Sequence, residues 1–462
     1  MRCASEPGDP PTRRPGLRAA LVFAAVVTAC WVGGCSRQGE SATEEREGAA
    51  SGGRVATADD WDDVPGGRWH PGDWMEVPPE VEASLTAEQR QEFARLLSIG
   101  YVSGSNPIPV NTGVVVYDKS KTWDGLNFFT SGHFPGAILM DMTGKVLHQW
   151  EYEFLDAWNR FPGSEKPHSI KSGGFWRHAH LFPNGDVIAI YDWLGIIKVD
   201  KDSNLLWAQF GGYHHDLDVM PDGRILTLVR VAKIVPRIHP ELPILEDFIV
   251  TLDPDGDELH RFSLLEAFEN SEHSDLLKNM AESGDIFHTN TIELLDGRLA
   301  RKIPAFRSGN VLVTVRELGL IAVVDLEREV VVWGFDGGWR MPHQATVLDN
   351  GNILIFDNRG NAGYSQLVEF DPVTAVGHWI YRGKKPEDFY SKECGSNQRL
   401  PNGNTLITET DRGKALEVTR GQEIIWKYFN PMRAGEDLKF IASVFDVVRL
   451  PRDFPLDWLD ER

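Results

Sequence analysis

The chain has 462 residues, 42% of them hydrophobic and 25% charged. That is enough to bury a sizeable core and too apolar for a disordered chain. Acidic side chains outnumber basic ones 68 to 47, giving a formal charge of −21. This argues against a nucleic-acid backbone as partner, though not against a small anion in one local pocket. Cys3, Cys30 and Cys35 cluster at the start and only Cys394 lies beyond them, so the folded part has no internal disulfide.

The first segment reads as an address. Arg13, Arg14 and Arg18 precede the apolar run Ala19 to Val32, a secretory-signal pattern too short for a comfortable membrane span. The run ends in Val32-Gly33-Gly34-Cys35, which resembles the bacterial lipobox, whose cysteine is lipidated and becomes the new first residue. Val27-Thr28-Ala29-Cys30 fits the same pattern, but the polar stretch that follows Cys35 at once favours Cys35. We therefore expect a signal peptide over 1–34, a flexible acidic Gly/Ser linker over 35–60, and export with a lipid anchor in the bacterial cell envelope. An uncleaved anchor or a plain cleaved signal also puts the domain outside the cytoplasm. Residues 61–112 form an N-terminal extension. In it Thr86-Ala87-Glu88-Gln89 is a capping box opening a helix through Ile99, stopped at Gly100 and expected to pack on the main domain.

From residue 113 to 462 two motifs alternate, six times each. The first is a strand, a turn and a strand ending in an aromatic, as in ILMDMTGKVLHQW (138–150), IIKVDKDSNLLW (196–207) and IAVVDLEREVVVW (321–333). The second is a polar start, an alternating strand, a Pro/Asp-Asn/Asp-Gly turn and another strand, as in HHDLDVMPDGRILTL (214–228) and PHQATVLDNGNILIF (342–356). Four strands per repeat of roughly 40–50 residues predict an all-β, six-bladed β-propeller. The sixth second-motif strand, VFDVVRLP (444–451), has no partner after it, whereas the first hairpin lacks an inner strand. Pairing of N- and C-terminal strands is expected to close the ring and remove its open edges. Residues 264–280, with helix-like spacing, and 301–310 read as blade-to-blade insertions.

The starts of the second motif should converge on the propeller axis. They hold His178 and His180, His214 and His215, His288 and Asn290, His343 and Gln344, then Ser396 and Asn397. Neighbours on a strand face opposite sides, so only one of His214 and His215 is expected to point inward. The repeat phase selects His215, which stands six residues before Pro221 as His343 stands six before Asp349. Each histidine taken singly could equally be a hydrogen-bonding link between blades, and Arg316 a salt bridge to Glu317 or Glu327.

HHDLDVMPDG (214–223), FHTNTIE (287–293), NVLVTVRE (310–317) and HQATVLDNGNILIFDN (343–358) resemble the bacterial arylsulfotransferases, in a lipoprotein-like branch. The resemblance runs from about residue 113 to 450. It implies a sulfotransferase that uses an aryl sulfate as donor and a phenol as acceptor, with His343 as the nucleophile. His215, His288 and Arg316 would be supporting cations or donors, beside Asn290. His178, Gln344 and Asn397 are further candidates for holding substrate. A neutral imidazole is a good nucleophile near pH 7, and a sulfo-histidine intermediate predicts ping-pong kinetics. Arg316 and protonated His215 or His288 are expected to act where negative charge builds up. GHWIYRGKK (377–385) has the wrong spacing for a phosphate loop, so no nucleotide donor is expected, nor any cofactor or metal. Two alternatives remain: a metal enzyme using the central imidazoles, with His178 and His180 as a chelating pair, or a non-catalytic cell-surface binding propeller.

Overall fold

A computed structural model describes residues 85–90, 92, 103–160, 174–435 and 438–459. The expected signal peptide, the linker and Cys35 lie outside the described residues, as do residues 93–100 of the expected helix.

Six antiparallel sheets of four strands form a propeller. Blade 2 comprises His178–Leu181, Val187–Tyr191, Gly195–Val199 and Leu205–Phe210. Blade 3 comprises Tyr213–Val219, Ile225–Lys233, Ile244–Leu252 and Glu258–Ser263. Blade 4 comprises Thr289–Leu294, Val311–Val315, Leu320–Asp325 and Val330–Asp336. Blade 5 comprises Pro342–Val347, Ile353–Asp357, Gln366–Phe370 and Gly377–Tyr381. Blade 6 comprises Ser396–Arg399, Thr405–Glu409, Lys414–Val418 and Ile424–Phe429. From blade 2 to blade 6 the first strands of consecutive blades touch one another, so they line the axis.

Blade 1 is assembled from both ends of the domain. Its inner strand is Val444–Pro451, which pairs with Gly125–Ser131 in register from Gly125 opposite Pro451 to Ser131 opposite Val444. Gly136–Met140 and Val146–Glu151 complete it. The strand Gly113–Tyr117 does not belong to this blade. It adds a fifth, outermost strand to blade 6, with Gly113 opposite Phe429. The ring is therefore latched twice, by an inner strand from the C-terminal side and an outer strand from the N-terminal side.

Strand periodicity builds the core. In blade 2, Val187, Ala189 and Tyr191 face the seam with blade 1, while Ile188 and Ile190 face the seam with blade 3. Side chains on a strand alternate faces, so a strand buried on both sides reads as an unbroken apolar run. The six apolar clusters of the molecule are the six seams between consecutive blades. The aromatic that ends the first motif adds a polar tie. Trp150, Trp207, Trp379 and Trp426 donate their indole N–H to Gly185, Pro254, Arg420 and Met142 carbonyls in the next blade, at 2.9–3.1 Å. The carbonyl acceptor sits in a tight turn. At one of these turns Gly185 has φ 88° and an added Cβ would come within 2.7 Å of the Trp458 ring, so glycine is required twice over.

Residues 264–280 do form a blade-to-blade insertion between blades 3 and 4. Helix α1, Leu264–Glu269, starts at Ser263, whose hydroxyl accepts the Glu266 N–H, and a 3-10 turn follows at Ser274–Asn279. Residues 301–310 differ from expectation. They lie within blade 4, between its paired first and second strands, and carry the turn Pro304–Phe306 that buries Phe306 against blade 5. Both segments occupy the same wide gap between repeats, and spacing alone does not separate a hairpin loop from a crossover. Upstream, the capping box is present. The Thr86 N–H donates to Gln89 Oε1 at 2.7 Å, and the Gln89 N–H donates to Thr86 Oγ1 at 3.2 Å. Leu85 enters the seam between blades 2 and 3, and Gln89 Nε2 donates to the Glu241 carbonyl, so this extension packs on the propeller.

Candidate active site

The inner strands of four blades break their ladders at the axial mouth. Pairing registers shift around His215 in blade 3, Asn290 in blade 4, Gln344 in blade 5 and Asp446 in blade 1. His215, His288, Gln344 and Asp446 have φ of 61°, 48°, 35° and 42°. Non-glycine residues enter that region at a cost, and bulges of this kind re-aim side chains. One expectation fails here. His214 and His215 do not face opposite sides: both are buried, with their Nδ1 atoms 2.7 Å apart and ring centroids at 4.9 Å. The positive φ at His215 cancels the alternation that a regular strand would impose.

The structure brings the four expected catalytic residues together. The His215 and His288 rings lie 4.8 Å apart, and His288 Nδ1 shares a hydrogen bond with Asp285 Oδ2. Asp285 comes from the two-residue strand Gly284–Asp285, which pairs in parallel with blade 3. Arg316 follows the second strand of blade 4, pairs with Glu317 and approaches Met341 Sδ at 3.9 Å. Glu327, the other acid proposed for Arg316, holds Arg307 instead. His343 places Nδ1 2.8 Å from Asn358 Oδ1 and 3.1 Å from the Met341 carbonyl. His343 Nε2 and Arg316 Nε are buried with no hydrogen-bond partner among the described residues, as is Oδ1 of Asn290, whose Nδ2 donates to the Pro342 carbonyl at 2.8 Å. Buried polar atoms are nearly always partnered, so these three leave hydrogen-bonding capacity unused at the mouth.

Electrostatics refine the roles. Burial, then the Arg316 and Arg177 guanidiniums and His288, hold His343 well below the ordinary histidine value. Burial and the neighbouring His288 and His214 do the same for His215. His288 is pushed down to about 3 by burial, which outweighs Asp285. Burial works to raise Asp285, but Arg230, His288 and Arg316 together bring it below the usual carboxylate range. Where one of His215 and His288 was expected to be protonated, both shifts favour the neutral imidazole, and that of Asp285 favours the carboxylate. The positive charge comes from Arg316 and from Arg177, which stands directly before the inner strand of blade 2.

The four expected substrate-holding residues divide. Asn290 belongs to the orphan cluster. His178, Gln344 and Asn397 line an adjoining cavity of about 680 Å³ that continues past Thr346, Gln398 and Arg399 to Arg420; none of the four expected catalytic residues lines it. Gln344 and Asn397 tie blade 5 to blade 6, because Gln344 Oε1 accepts the Asn397 N–H and Asn397 Nδ2 donates to the Gln344 carbonyl, both at 2.8 Å. His178 is held by Asp446 Oδ2 at 2.9 Å and Asp216 Oδ1 at 3.4 Å, and these acids raise it above its ordinary value against its burial. His180 is pushed down to about 4 by burial and by His178. Among the described residues no group of three or more His, Cys, Asp or Glu is arranged to hold a metal ion.

A sequence profile described as arylsulfotransferase (ASST) matches residues 180–431, more than half of the chain and the three blades that carry His215, His288 and His343. The chain belongs to the arylsulfotransferase family. No curated protein matches it. Among solved structures, this arylsulfotransferase-family propeller is similar to a Bacteroides caccae protein of unknown function, at 14% identity and TM-score 0.44 over 71% of this chain and 100% of that one. It is also similar to a streptogramin B lyase, at 12% identity and TM-score 0.37 over 71% and 85%. A third is a virginiamycin B lyase from Staphylococcus aureus, at 11% identity and TM-score 0.34 over 60% and 83%.

Sequence reasoning missed several groups around the axial mouth: Arg177, Arg230, Asp285, Asn358 and Asp446. Arg230 is fully buried, stacked 5.0 Å from the Trp193 ring and bonded to Asp247 Oδ1 at 3.1 Å. Arg177 and Asp446 sit at inner-strand starts, where the repeat phase was available to find them. Asp285 and Asn358 lie outside the repeat phase, and no local pattern marks them.

Proposed function

We propose that the protein moves a sulfuryl group from an aryl sulfate to a phenol through a sulfo-histidine on His343. The Nε2 lone pair attacks sulfur, an N–S bond forms, the S–O bond to the aryl group breaks and the phenolate leaves. The oxygen of the second phenol then attacks the same sulfur, the N–S bond breaks and returns its electron pair to Nε2, and the acceptor's hydroxyl proton passes to solvent, from which the released phenolate regains one. Attack and departure need positioning and charge stabilisation rather than further covalent help. Arg316 and Arg177 supply the positive charge where the sulfuryl oxygens gather electrons. Neutral His215 and His288 serve as hydrogen-bond donors rather than cations.

The observation that carries this reading is the buried, unpartnered Nε2 of a neutral His343 beside the Arg316 guanidinium. The test is incubation with a chromogenic aryl sulfate, followed by intact mass before any phenol is added. The enzyme should gain one sulfuryl group, lose it when phenol is supplied, and gain none as His343→Ala. A folded protein that gains no mass over a varied panel of aryl sulfates rejects the reading.

We further propose export and lipidation at Cys35, on the basic n-region, the short apolar run and the Val-Gly-Gly-Cys sequence. Metabolic labelling with a fatty acid should mark the wild type and not Cys35→Ala. Label retained on that variant would point to Cys30.

A further inference from the structure

We infer that Asn358 is a positioning residue that fixes the tautomer of His343 and so selects Nε2 as the atom that accepts the sulfuryl group. The inference deepens the proposed function and rests on it for its catalytic meaning, while the tautomer follows from the hydrogen-bonding geometry around a neutral ring.

Asn358 is fully buried just past the second strand of blade 5. Its amide cannot be turned round. Nδ2 donates to the Ser391 carbonyl at 2.8 Å and to the Cys394 carbonyl at 2.7 Å, which commits both of its N–H bonds. Oδ1 must therefore point the other way, and it lies 2.8 Å from His343 Nδ1. The second neighbour of that nitrogen, the Met341 carbonyl at 3.1 Å, is also an acceptor. Two acceptors and, among the described residues, no donor face Nδ1, so Nδ1 carries the proton. In a neutral imidazole the other nitrogen then holds the lone pair. That nitrogen is Nε2, the buried atom without a partner among the described residues.

The opposite tautomer fails on two counts. Nδ1 would set its lone pair against two oxygens, and Nε2 would hold a buried N–H with nothing to receive it. Both are costly in a dry site. The loop that carries Ser391 and Cys394 is itself held down. Ser365 Oγ donates to the Ser391 carbonyl at 3.0 Å and receives the Ser391 N–H at 3.0 Å. Asn358 thus links the nucleophile to a rigid loop leading into blade 6. It needs no charge to do so, and the neutrality matters: a carboxylate at this place would favour the imidazolium and keep the ring protonated to higher pH. The charged and titratable groups facing His343 are Arg316, Arg177, His288 and Asp446, and only Asp446 among them favours the imidazolium.

The test begins with the wild-type enzyme and no substrate. NMR of the ring nitrogens, assigned by difference against His343→Ala, should show Nδ1 protonated and Nε2 unprotonated at neutral pH. The trapped adduct should carry its sulfuryl group on Nε2. Asn358→Asp keeps an acceptor toward Nδ1 but adds charge, so the acid limb of sulfo-enzyme formation should move to higher pH. Asn358→Ala should slow that step roughly 100-fold or more, with donor KM changed far less. If Asn358→Ala does not fold, the wild-type tautomer and the Asn358→Asp profile still decide. A proton on Nε2, an adduct on Nδ1, or an unmoved acid limb in folded Asn358→Asp overturns the inference while leaving a sulfo-histidine intact. A correct tautomer in an enzyme that never gains a sulfuryl group upholds the role of Asn358 and rejects the proposed function.

Discussion

Two buried polar clusters of the ring differ in how they are satisfied. At the seam between blades 6 and 1, Arg449 donates to Glu417 at 2.9 Å, to Asn127 Oδ1 at 2.7 Å and to the Trp123 carbonyl at 2.8 Å, with its guanidinium 5.0 Å from the Trp426 ring. Asn404 and the Trp123 N–H take up the other Glu417 oxygen. The same staple recurs between blades 5 and 6 as Glu369, Arg399 and Trp379. At the axial mouth, by contrast, His343, Arg316 and Asn290 each keep a buried atom without a partner. The staple leaves Arg449 Nη2 without a partner among the described residues, but it ties the other two guanidinium nitrogens to amide, carbonyl and carboxylate oxygens, and so it holds blades together. The mouth spreads its orphans over three side chains from two blades, which leaves hydrogen-bonding capacity that a ligand can satisfy.

The contrast can be broken first at the nucleophile. His343→Ala should lower sulfuryl transfer by at least about a thousandfold, with only a moderate fall in the thermal midpoint from the cavity and the unpaired Asn358 Oδ1 it leaves. Steady-state rates with a chromogenic donor and a melting curve check both halves. Arg316→Ala should cost about 100- to 1000-fold in turnover, as expected when one stabilising group is removed from developing charge. A loss confined to KM would show instead that Arg316 only gathers the substrate.

At the staple the expected order reverses. Glu417→Ala strands the buried Arg449 and should cost about 3–5 kcal/mol of stability, read from the denaturant midpoint. The fraction that remains folded should turn over normally. If activity falls more steeply than the folded fraction, the two clusters are coupled and the division between them is wrong.

Two pH effects are smaller. His343 lies well below the ordinary histidine value, so its lone pair persists as the medium turns acidic. Sulfo-enzyme formation should stay level from about pH 7 down to about pH 5.5, where an ordinary histidine would already have lost its lone pair. Glu293, in the inner strand of blade 4, accepts the Val347 N–H of blade 5 and is pushed up to about 8, chiefly by desolvation. The native state therefore holds this proton more tightly than the unfolded chain. Its contribution to stability is lost as pH rises from the usual Glu range through about 8. Glu293→Gln should flatten that decline, seen by comparing denaturant midpoints at about pH 5 and about pH 9. An unchanged slope would assign the pH dependence to other acids.

Much of the architecture was legible because it repeats. Asp141, Asp200, Asp253, Asp325 and Asp371 mark equivalent turns, and the orphan strand 444–451 could have only one use in a closed ring. The site was legible in outline for the same reason: His215, His288 and His343 stand near matching points of matching strands. What the repeat hid was whatever breaks it. The paired burial of His214 and His215 follows from a left-handed residue in a bulge, and no glycine announces that bulge. The pair His178 and Asp446 joins residues at opposite ends of the domain, which only ring closure brings to 2.9 Å.

Local sequence thus determined the strands, the turns, the number of blades and which residue types would stand at the axis, because alternation and turn chemistry act over a few residues. The tertiary structure alone decided protonation and partnership. Whether an imidazole is a cation or a lone pair depends on how deeply it is buried and which guanidinium, amide or carboxylate faces it. Those neighbours come from other blades or from loops outside the repeat, as Arg177, Asp285 and Asn358 do. For His343 that closed environment makes the ring neutral and sets its proton on Nδ1.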